Sequence, residues 1–527
     1  MMVSNPHTRM KLSHRSFWLR LGTAVLSTSL VLTPALAQRN ELPNLGGPEG
    51  LSASAERQWG DRIARVLYRD PDYLQDPVLD EYIARLWAPL LEAAKKRGEL
   101  DDDLQNRFAW RILLNNERTI NAFALPGGYL GVNLGLIATV SSDDELASVL
   151  AHELSHVTQR HIARSMDDQA RMTPWVIGSM ILGAIAASHS AQGAQALIVG
   201  GQAAAAQAQL SYSRDMEREA DRVGFGVMRD AGYDPRGFVG MFGKLQQAAA
   251  LNDNGDYPYL RSHPLTTERM ADMHARQPLL RNLPAVAVRW DQALLAARAR
   301  VLAPNPIDAL RALANAPLSA QMPPTTQAST LYASALAHLR LKDLTQAWAQ
   351  SERLLQLLQT PTAATASAQR LARLLQVDIR LAQQHYNQAL DLLSPDGRSV
   401  PVQRPERLAL AQTLLHVPAS PLAAPLTQAL RQYVQLAPHD AQVWNTLAQL
   451  YAAQQAPLAA LRAEGEAQAA LLDWSGAIDR LRAAQDLARR TPLQTADQIE
   501  AAIIDSRLRE LQQLLRAQQI EDAKQRS

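Results

Sequence analysis

The stretch 146-LASVLAHELSHVTQRHI-162 places two histidines and a glutamate inside an apolar run with helical spacing. His152 and His156 are four residues apart, so both imidazoles lie on one face of a helix. Such a pair can offer two nitrogens to one Zn²⁺. Glu153, beside the first histidine, is placed to accept a proton from a nucleophilic water instead of binding the metal. A helix with two hydrogen-bonded structural histidines is the alternative that this motif alone leaves open.

The residues before the motif predict where its helix begins. Ser142 and Glu145 fit a capping box, and the acidic residues between them suit the positive end of a helix dipole. The apolar spacing predicts that the helix continues to about Asp168. On one continuous helix His161 would lie about half a turn from His152. We therefore expect His161 to face away from a metal and leave it out of the candidate site.

A second segment, 213-SRDMEREADRVG-224, offers the third protein ligand that a catalytic zinc needs. Glu217 and Asp221 are four residues apart and share a helical face, whereas Glu219 points elsewhere. We assign Glu217 to the metal. Asp221 would accept the second ring N–H of a ligating histidine and fix its orientation. A charged surface helix with Glu–Arg pairs is the alternative.

Three motifs, in this order along the chain, resemble those of a known family. They are 121-NAFALPGGYLGVNLGLI-137, 145-ELASVLAHELSHV-157 and 217-EREADRVG-224. Together they resemble the integral-membrane and periplasmic zinc metalloproteases, the family that includes the CaaX prenyl protease and the heat-shock membrane protease. The resemblance covers roughly residues 50 to 280.

This resemblance implies a role for each candidate residue. His152, His156 and Glu217 would bind one Zn²⁺ per chain, Glu153 would be the catalytic base, and Asp221 would lie behind the ligands. The segment 121–130 looks like the edge strand ahead of the active-site helix. Such a strand can pair with an extended substrate backbone; a purely structural hairpin is the alternative.

The least settled site residue is His263, in 261-RSHPLTTER-269. Many family members carry a similar Ser/Thr-His-Pro segment after the glutamate helix. Our hypothesis is that His263 fills the fourth zinc position in a resting state, which would latch the enzyme because the attacking water needs that position. A catalytic hydrogen bond to the transition state and a structural role are the alternatives. Arg269 is a candidate anion contact.

The chain divides into two regions of different composition. Residues 53–285 carry the strand signals, which we place at Trp110–Leu114 and Tyr129–Leu136 around a Pro-Gly-Gly turn. Residues 306–520 are rich in Ala, Leu and Gln, and the whole chain has only 5% aromatic residues, which favours helices. The predicted fold class is mainly α. A gluzincin-type HExxH metalloprotease domain with a small β-sheet is followed by a C-terminal α-solenoid of tetratricopeptide repeats.

The repeat prediction rests on small and aromatic residues at fixed spacing. One match comprises Trp444, Leu447, Ala448 and Tyr451, and another comprises Gly465, Ala477, Leu481 and Ala484. The two matches are 17 residues out of phase, half a repeat, so they can share a helix. Residues 497–520 would form a terminal capping helix. A non-repeating helical bundle is the alternative.

The N-terminal residues 1–37 are predicted to be a secretory signal. Basic residues precede an apolar stretch, and Ala35-Leu36-Ala37 fits the small-x-small pattern, so cleavage is expected after Ala37. Residues 38–52 would be a flexible lead-in, and an uncleaved membrane anchor is the alternative. Removing residues 1–37 takes away four basic and no acidic residues, so the formal charge falls from +2 to −2. Nothing in this balance suggests a nucleic-acid partner.

The expected function follows from the resemblance and the architecture together. They imply a periplasmic zinc endopeptidase for unfolded or misassembled outer-membrane β-barrel proteins. Its repeat domain would bind clients or the barrel assembly machinery. The alternative is a chaperone or assembly factor in which the protease is mostly latched. The apolar segment 172–210 is either a buried helical hairpin or an element that contacts the membrane peripherally.

Overall fold

Helices make up most of the protein, and the helix that carries the HExxH motif is buried on nearly every side. The computed structural model describes residues 51–168, 213–251, 258–276, 289–359, 366–490, 492 and 495–524. The predicted signal 1–37, nearly all of the lead-in 38–52 and the apolar segment 172–210 lie outside the described residues. Within them, no helix has both the length and the apolar character to cross a membrane.

The part of the chain that carries the motif contains the first eleven described helices. They are α1 (Ala53–Leu67), α2 (Pro77–Lys96), α3 (Asp102–Arg107), α4 (Leu134–Thr139), α5 (Asp143–Thr158), α6 (His161–Asp168), α7 (Arg214–Asp230), α8 (Arg236–Leu251), α9 (Pro258–Ser262), α10 (Thr267–Arg276) and α11 (Trp290–Leu302). The motif lies on α5, whose apolar residues belong to the main hydrophobic core.

A small sheet lies beside α5. Its strands are β1 (Tyr73–Leu74), β2 (Arg111–Asn115), β3 (Ala122–Leu125) and β4 (Tyr129–Asn133), in the order β1-β2-β4-β3. β2 and β4 are parallel, while β3 and β4 form an antiparallel pair around the short turn Pro126–Gly128. Of the segment 121–130 predicted to be an edge strand, β3 lies at the edge of the sheet, whereas Tyr129 and Leu130 belong to the inner strand β4.

The strand predicted at Tyr129–Leu136 is shorter than expected. It ends at Asn133, whose side-chain amide donates to Thr119, and the chain then enters α4. Gly135 donates its backbone N–H to the carbonyl of Glu117. An added Cβ at Gly135 would lie 2.0 Å from a neighbouring carbonyl oxygen, so only glycine permits this close approach.

The helix predicted to run to about Asp168 also ends early, at Thr158. Arg160 adopts a left-handed conformation with φ of 52°, and α6 starts at the next residue. The Arg160 side chain is held by Glu56, at 3.1 Å, and by the carbonyl of Leu51. These contacts stabilise a backbone conformation that non-glycine residues seldom adopt.

α7 packs closely on α5, and this packing brings two parts of the site together. A Cβ added at Gly224 would lie 3.1 to 3.2 Å from backbone atoms of Ala151 and His152. A larger residue at Gly224 would therefore move α7 away from the motif.

The C-terminal region continues as successive helices that pack on their neighbours along the chain. They are α12 (Ile307–Ala314), α13 (Pro324–Arg340), α14 (Leu344–Leu358), α15 (Ala366–Ala382), α16 (Tyr386–Leu393), α17 (Arg404–Leu414), α18 (Ala423–Leu436), α19 (Ala441–Ala453), α20 (Pro457–Ala470), α21 (Trp474–Arg490) and α22 (Thr495–Lys524). The predicted fold class is confirmed as mainly α with a small sheet and a C-terminal helical array. The boundaries at 285 and 306 and the number of tetratricopeptide repeats stay predictions.

The two repeat-like matches lie on three successive helices. Trp444 and its partners lie on α19, while Gly465 lies on α20 and faces Leu481 of α21, whose side chain would be 3.0 Å from an added Cβ. α20 packs against both α19 and α21, and the sharing of α20 by the two out-of-phase matches stays a prediction.

Three arginines join α2 to later helices of the same compact unit. Arg298 pairs with Asp76 at 2.7 Å, Arg370 joins Glu81 to Glu406, and Arg404 joins Asp80 to Asp440. Several of these contacts are bidentate, which fixes orientation better than a single ion pair does. The helical array is therefore held directly against the domain that carries the motif.

Candidate metal centre

His152 and His156 lie one turn apart on α5 and are both almost fully buried, at 1% and 0% exposure. Their Nε2 atoms face each other at 3.0 Å. The start of α5 is fixed as predicted, since the Ser142 hydroxyl accepts the N–H of Glu145 at 3.2 Å. The Glu145 carboxylate reaches back to the N–H of Ser141 rather than to that of Ser142.

The third group comes from the first turn of α7. Its N-cap Ser213 accepts the N–H of Met216, which orients the turn. Glu217 lies with one carboxylate oxygen 3.4 Å from His152 Nε2 and the other 3.4 Å from His156 Nε2. The predicted pairing of this helix with the HExxH helix is therefore present in the structure.

The fourth group is His263, which follows α9. Its Nδ1 lies 2.9 Å from Glu217 Oε1 and 3.3 Å from His152 Nε2. One donor atom from each of His152, His156, Glu217 and His263 falls within 4.8 Å of the others, and all four residues are buried. The Tyr259 ring stacks on the His263 imidazole, with centroids 4.7 Å apart, and holds it in place.

This donor set fits a divalent metal ion. Three imidazole nitrogens and a carboxylate point at one another in the interior, and a buried carboxylate needs a positive partner there. In a tetrahedral zinc site with bonds of about 2.1 Å, neighbouring donors are roughly 3.4 Å apart. Five of the separations between these residues run from 2.9 to 3.4 Å, and one donor atom from each residue lies within 4.8 Å of the others, so the donors can converge on one ion.

Behind His152 lies Asp221, as the spacing on α7 predicts. Asp221 Oδ1 is 2.9 Å from His152 Nδ1, the ring nitrogen that faces away from the donor cluster. Burial alone would raise the pKa of Asp221, but hydrogen bonds from Arg269 and His152 hold it below its usual value. Burial would lower the pKa of His152, yet Asp221 and Glu217 outweigh burial and raise it to about 10. A carboxylate in this place fixes the tautomer of the ligand.

Arg269 binds anions of the protein itself. Its guanidinium makes two hydrogen bonds to Asp221, at 2.6 and 2.8 Å, and lies 2.6 Å from Glu217 Oε2. A further hydrogen bond goes to the carbonyl of Pro264. Arg269 is therefore the buried cation that stabilises the two buried carboxylates of α7, Glu217 and Asp221.

The expectation that His161 faces away from the site was wrong. Because the helix is interrupted at Arg160, His161 Nδ1 lies 2.8 Å from His156 Nδ1. Its Nε2 lies 3.1 Å from Glu219, which points away from the metal donors as predicted but reaches this histidine. Burial lowers the pKa of His161 to about 4, so the ring is neutral. His161 was visible in the sequence as a candidate. Its place in the site could not be predicted, because the sequence does not show that the helix breaks at Arg160.

Glu153 occupies the place expected of a catalytic base. It is fully buried, and among the described residues neither carboxylate oxygen makes a hydrogen bond of good geometry. Oε1 lies 3.4 Å from His263 Nε2, and the carboxylate faces the backbone of Ala124 in β3. Burial raises the pKa of Glu153, which favours proton uptake.

A helix with two histidines four residues apart, a glutamate between them and a third donor from a second helix define a metallopeptidase of the HExxH type. Comparison with known families agrees, because the profile of peptidase family M48 matches residues 90–277. The chain therefore carries a peptidase family M48 domain.

Curated relatives show the same kinship. The beta-barrel assembly-enhancing protease of Escherichia coli K12 is 34% identical over 278 residues, which are 51% of this chain and 54% of that protein. The protein of the same name from Yersinia pestis is 33% identical over 295 residues, 53% and 57% of the two chains. The mitochondrial metalloendopeptidase OMA1 of Arabidopsis thaliana is 32% identical over 197 residues, 37% and 36%. The chain thus spans about half the length of the two bacterial relatives.

The ligand role of Glu217 can be tested by Glu217→Gln, which keeps the side-chain size and removes the charge. We expect zinc content to fall from about one per chain to a small fraction, because an anionic ligand is lost. The matched control is Asp215→Asn on the same helix, whose side chain is 84% exposed. Metal analysis after dialysis measures both, and full zinc occupancy in Glu217→Gln would contradict the assignment.

Proposed function

We propose that the protein is a periplasmic zinc-dependent endopeptidase that degrades misfolded or stalled outer-membrane β-barrel proteins. One observation carries the catalytic part: buried Glu153 lies beside the convergent donors of His152, His156 and Glu217. The client class rests on the relatives, two of which are named for β-barrel assembly. The predicted signal peptide supports the periplasmic location.

The proton chemistry belongs to Glu153. When bound, zinc would lower the pKa of water and polarise the scissile carbonyl. Glu153 accepts the proton of the attacking water and later donates it to the leaving amine. The raised pKa of Glu153 suits both steps, since burial makes the carboxylate a stronger base.

The substrate would bind as an added strand. β3 ends the sheet, and among the described strands none pairs with its other edge. The Glu153 carboxylate faces Ala124 of β3, so a chain paired there would run past the base. Such pairing uses backbone hydrogen bonds, which suits unfolded or strand-forming clients of varied sequence.

His263 would hold this site in a latched state. Its Nδ1 points at the metal donors and its Nε2 faces Glu153 at 3.4 Å, so its ring occupies the space between the metal site and the base. A fourth protein donor there excludes the attacking water. Release of His263 would then be the activating step.

The same latch supports a second candidate function. If His263 rarely leaves, the protein would act mainly as a chaperone or assembly factor. The helical array, joined to α2 by Arg370 and Arg404, would then present the surface that binds clients or the barrel assembly machinery. The segment 172–210 is proposed to make any peripheral membrane contact.

Glu153→Gln separates the two functions. We expect cleavage of unfolded casein to fall by about a hundredfold or more, because the general base is lost, while zinc content stays at the parental level. Glu268→Gln, an exposed glutamate on α10 with a 63% exposed side chain, is the control. If Glu153→Gln leaves client turnover in cells unchanged, the result would favour the chaperone function and contradict the protease function.

His263→Ala tests the latch. Removing the fourth donor should raise basal casein cleavage several-fold while zinc remains bound by the other three ligands. His274→Ala, an exposed histidine on α10, is the control. Unchanged cleavage together with unchanged zinc affinity would rule out the latch, and a fall in cleavage would favour a hydrogen bond to the transition state.

A further inference from the structure

We propose that His161 is a positioning residue for the zinc ligand His156, and that it acts through a hydrogen-bond chain that ends on Glu219. The proposal rests on the proposed metal site and adds residues that neither the HExxH motif nor the glutamate segment identifies. It concerns the orientation of a ligand rather than contact with substrate.

The contacts allow one consistent arrangement of protons. His156 Nε2 faces the other metal donors, so its proton belongs on Nδ1. That N–H can donate to His161 Nδ1 at 2.8 Å, which leaves the proton of His161 on Nε2. The Nε2–H then donates to Glu219 Oε2 at 3.1 Å. Every ring nitrogen of the two histidines has one role, and the His156 tautomer that binds metal is fixed.

The contacts behind His156 parallel the contact behind His152. There, Asp221 Oδ1 lies 2.9 Å from His152 Nδ1 with no residue between them. At His156, the His161 ring lies between the ligand and Glu219. The ligand Glu217 and both terminal carboxylates lie within one and a half turns of α7, so a single helix orients both histidines of α5.

The fold keeps His161 in place at the cost of an unfavourable backbone conformation. Arg160 adopts a positive φ, and its side chain is tied to buried Glu56. A continuous helix through this point would carry the His161 ring round to the opposite side. The break therefore places the His161 imidazole beside His156, a position that residue 161 of a continuous helix could not reach. Arg164, one turn further on, holds Glu219 at 2.8 Å and completes the chain.

The test is the zinc affinity of the full chain, measured by competition with a chromophoric chelator. His161→Phe keeps a ring of similar size but has no acceptor, so we expect zinc affinity to fall about 10- to 100-fold, as for other partners of metal ligands. His161→Asn can present an oxygen close to the Nδ1 position and should restore most of the affinity. Glu219→Ala should weaken binding in the same direction.

The controls separate positioning from general stability. His274→Phe and Glu268→Ala alter an exposed histidine and an exposed glutamate on α10 and should leave zinc affinity unchanged. A purely structural His161 would lower the melting temperature of the Phe and Asn variants without a difference in zinc affinity between them, and this would overturn the proposal. If His161→Phe does not fold, parental zinc affinity in Glu219→Ala would overturn it instead. A parent chain that binds no zinc would overturn the proposed function as well, which distinguishes the two failures.

Discussion

The structure depends on a group of charged and polar side chains that is buried where an apolar core would otherwise be. Glu153, Glu217 and Asp221 are each no more than 1% exposed, and three imidazoles lie among them. Buried carboxylates are unfavourable unless cations and hydrogen bonds balance them. Arg269 supplies one cation, bound to two of the carboxylates. A divalent metal among the four donors would supply the rest, so metal binding and the packing of this core are coupled.

This constraint explains how the surrounding elements are arranged. α5 must be central because its histidines need a dry site, and α7 must approach closely because Glu217 is in its first turn. Gly224 permits that approach. β3 lies at the sheet edge, and the backbone of its Ala124 faces the Glu153 carboxylate. Arg370 and Arg404 of the helical array pair with Glu81 and Asp80 of α2, so the parts proposed for client binding and for cleavage are held together.

The parts of the site that follow a regular period could be predicted from the sequence. A spacing of four residues placed His152 with His156 and Glu217 with Asp221, and the structure puts each pair where the helical period requires. His263 is far away in sequence, and only the family resemblance suggested it. The mainly helical character followed from composition, because few aromatics and abundant Ala and Leu favour helices, whereas the metalloprotease domain followed from the motifs and the family resemblance.

The parts that were missed depend on breaks in that period. Left-handed backbone conformations are usually adopted by glycine, so nothing in the sequence indicates one at Arg160. Without that break in the helix, the contact between His161 and Glu219 could not be predicted. Gly135 ended β4 early through a contact with the distant Arg118–Thr119 loop, which no local pattern encodes. In both cases a tertiary contact overrode the local preference.

X-ray absorption at the zinc edge of the purified full chain tests the central claim most directly, because it counts the imidazoles on the metal. The account predicts three imidazole nitrogens at about 2.0 to 2.1 Å together with carboxylate oxygen, the set given by His152, His156, His263 and Glu217. A first shell made only of oxygen, or one with fewer than two imidazoles, would contradict it.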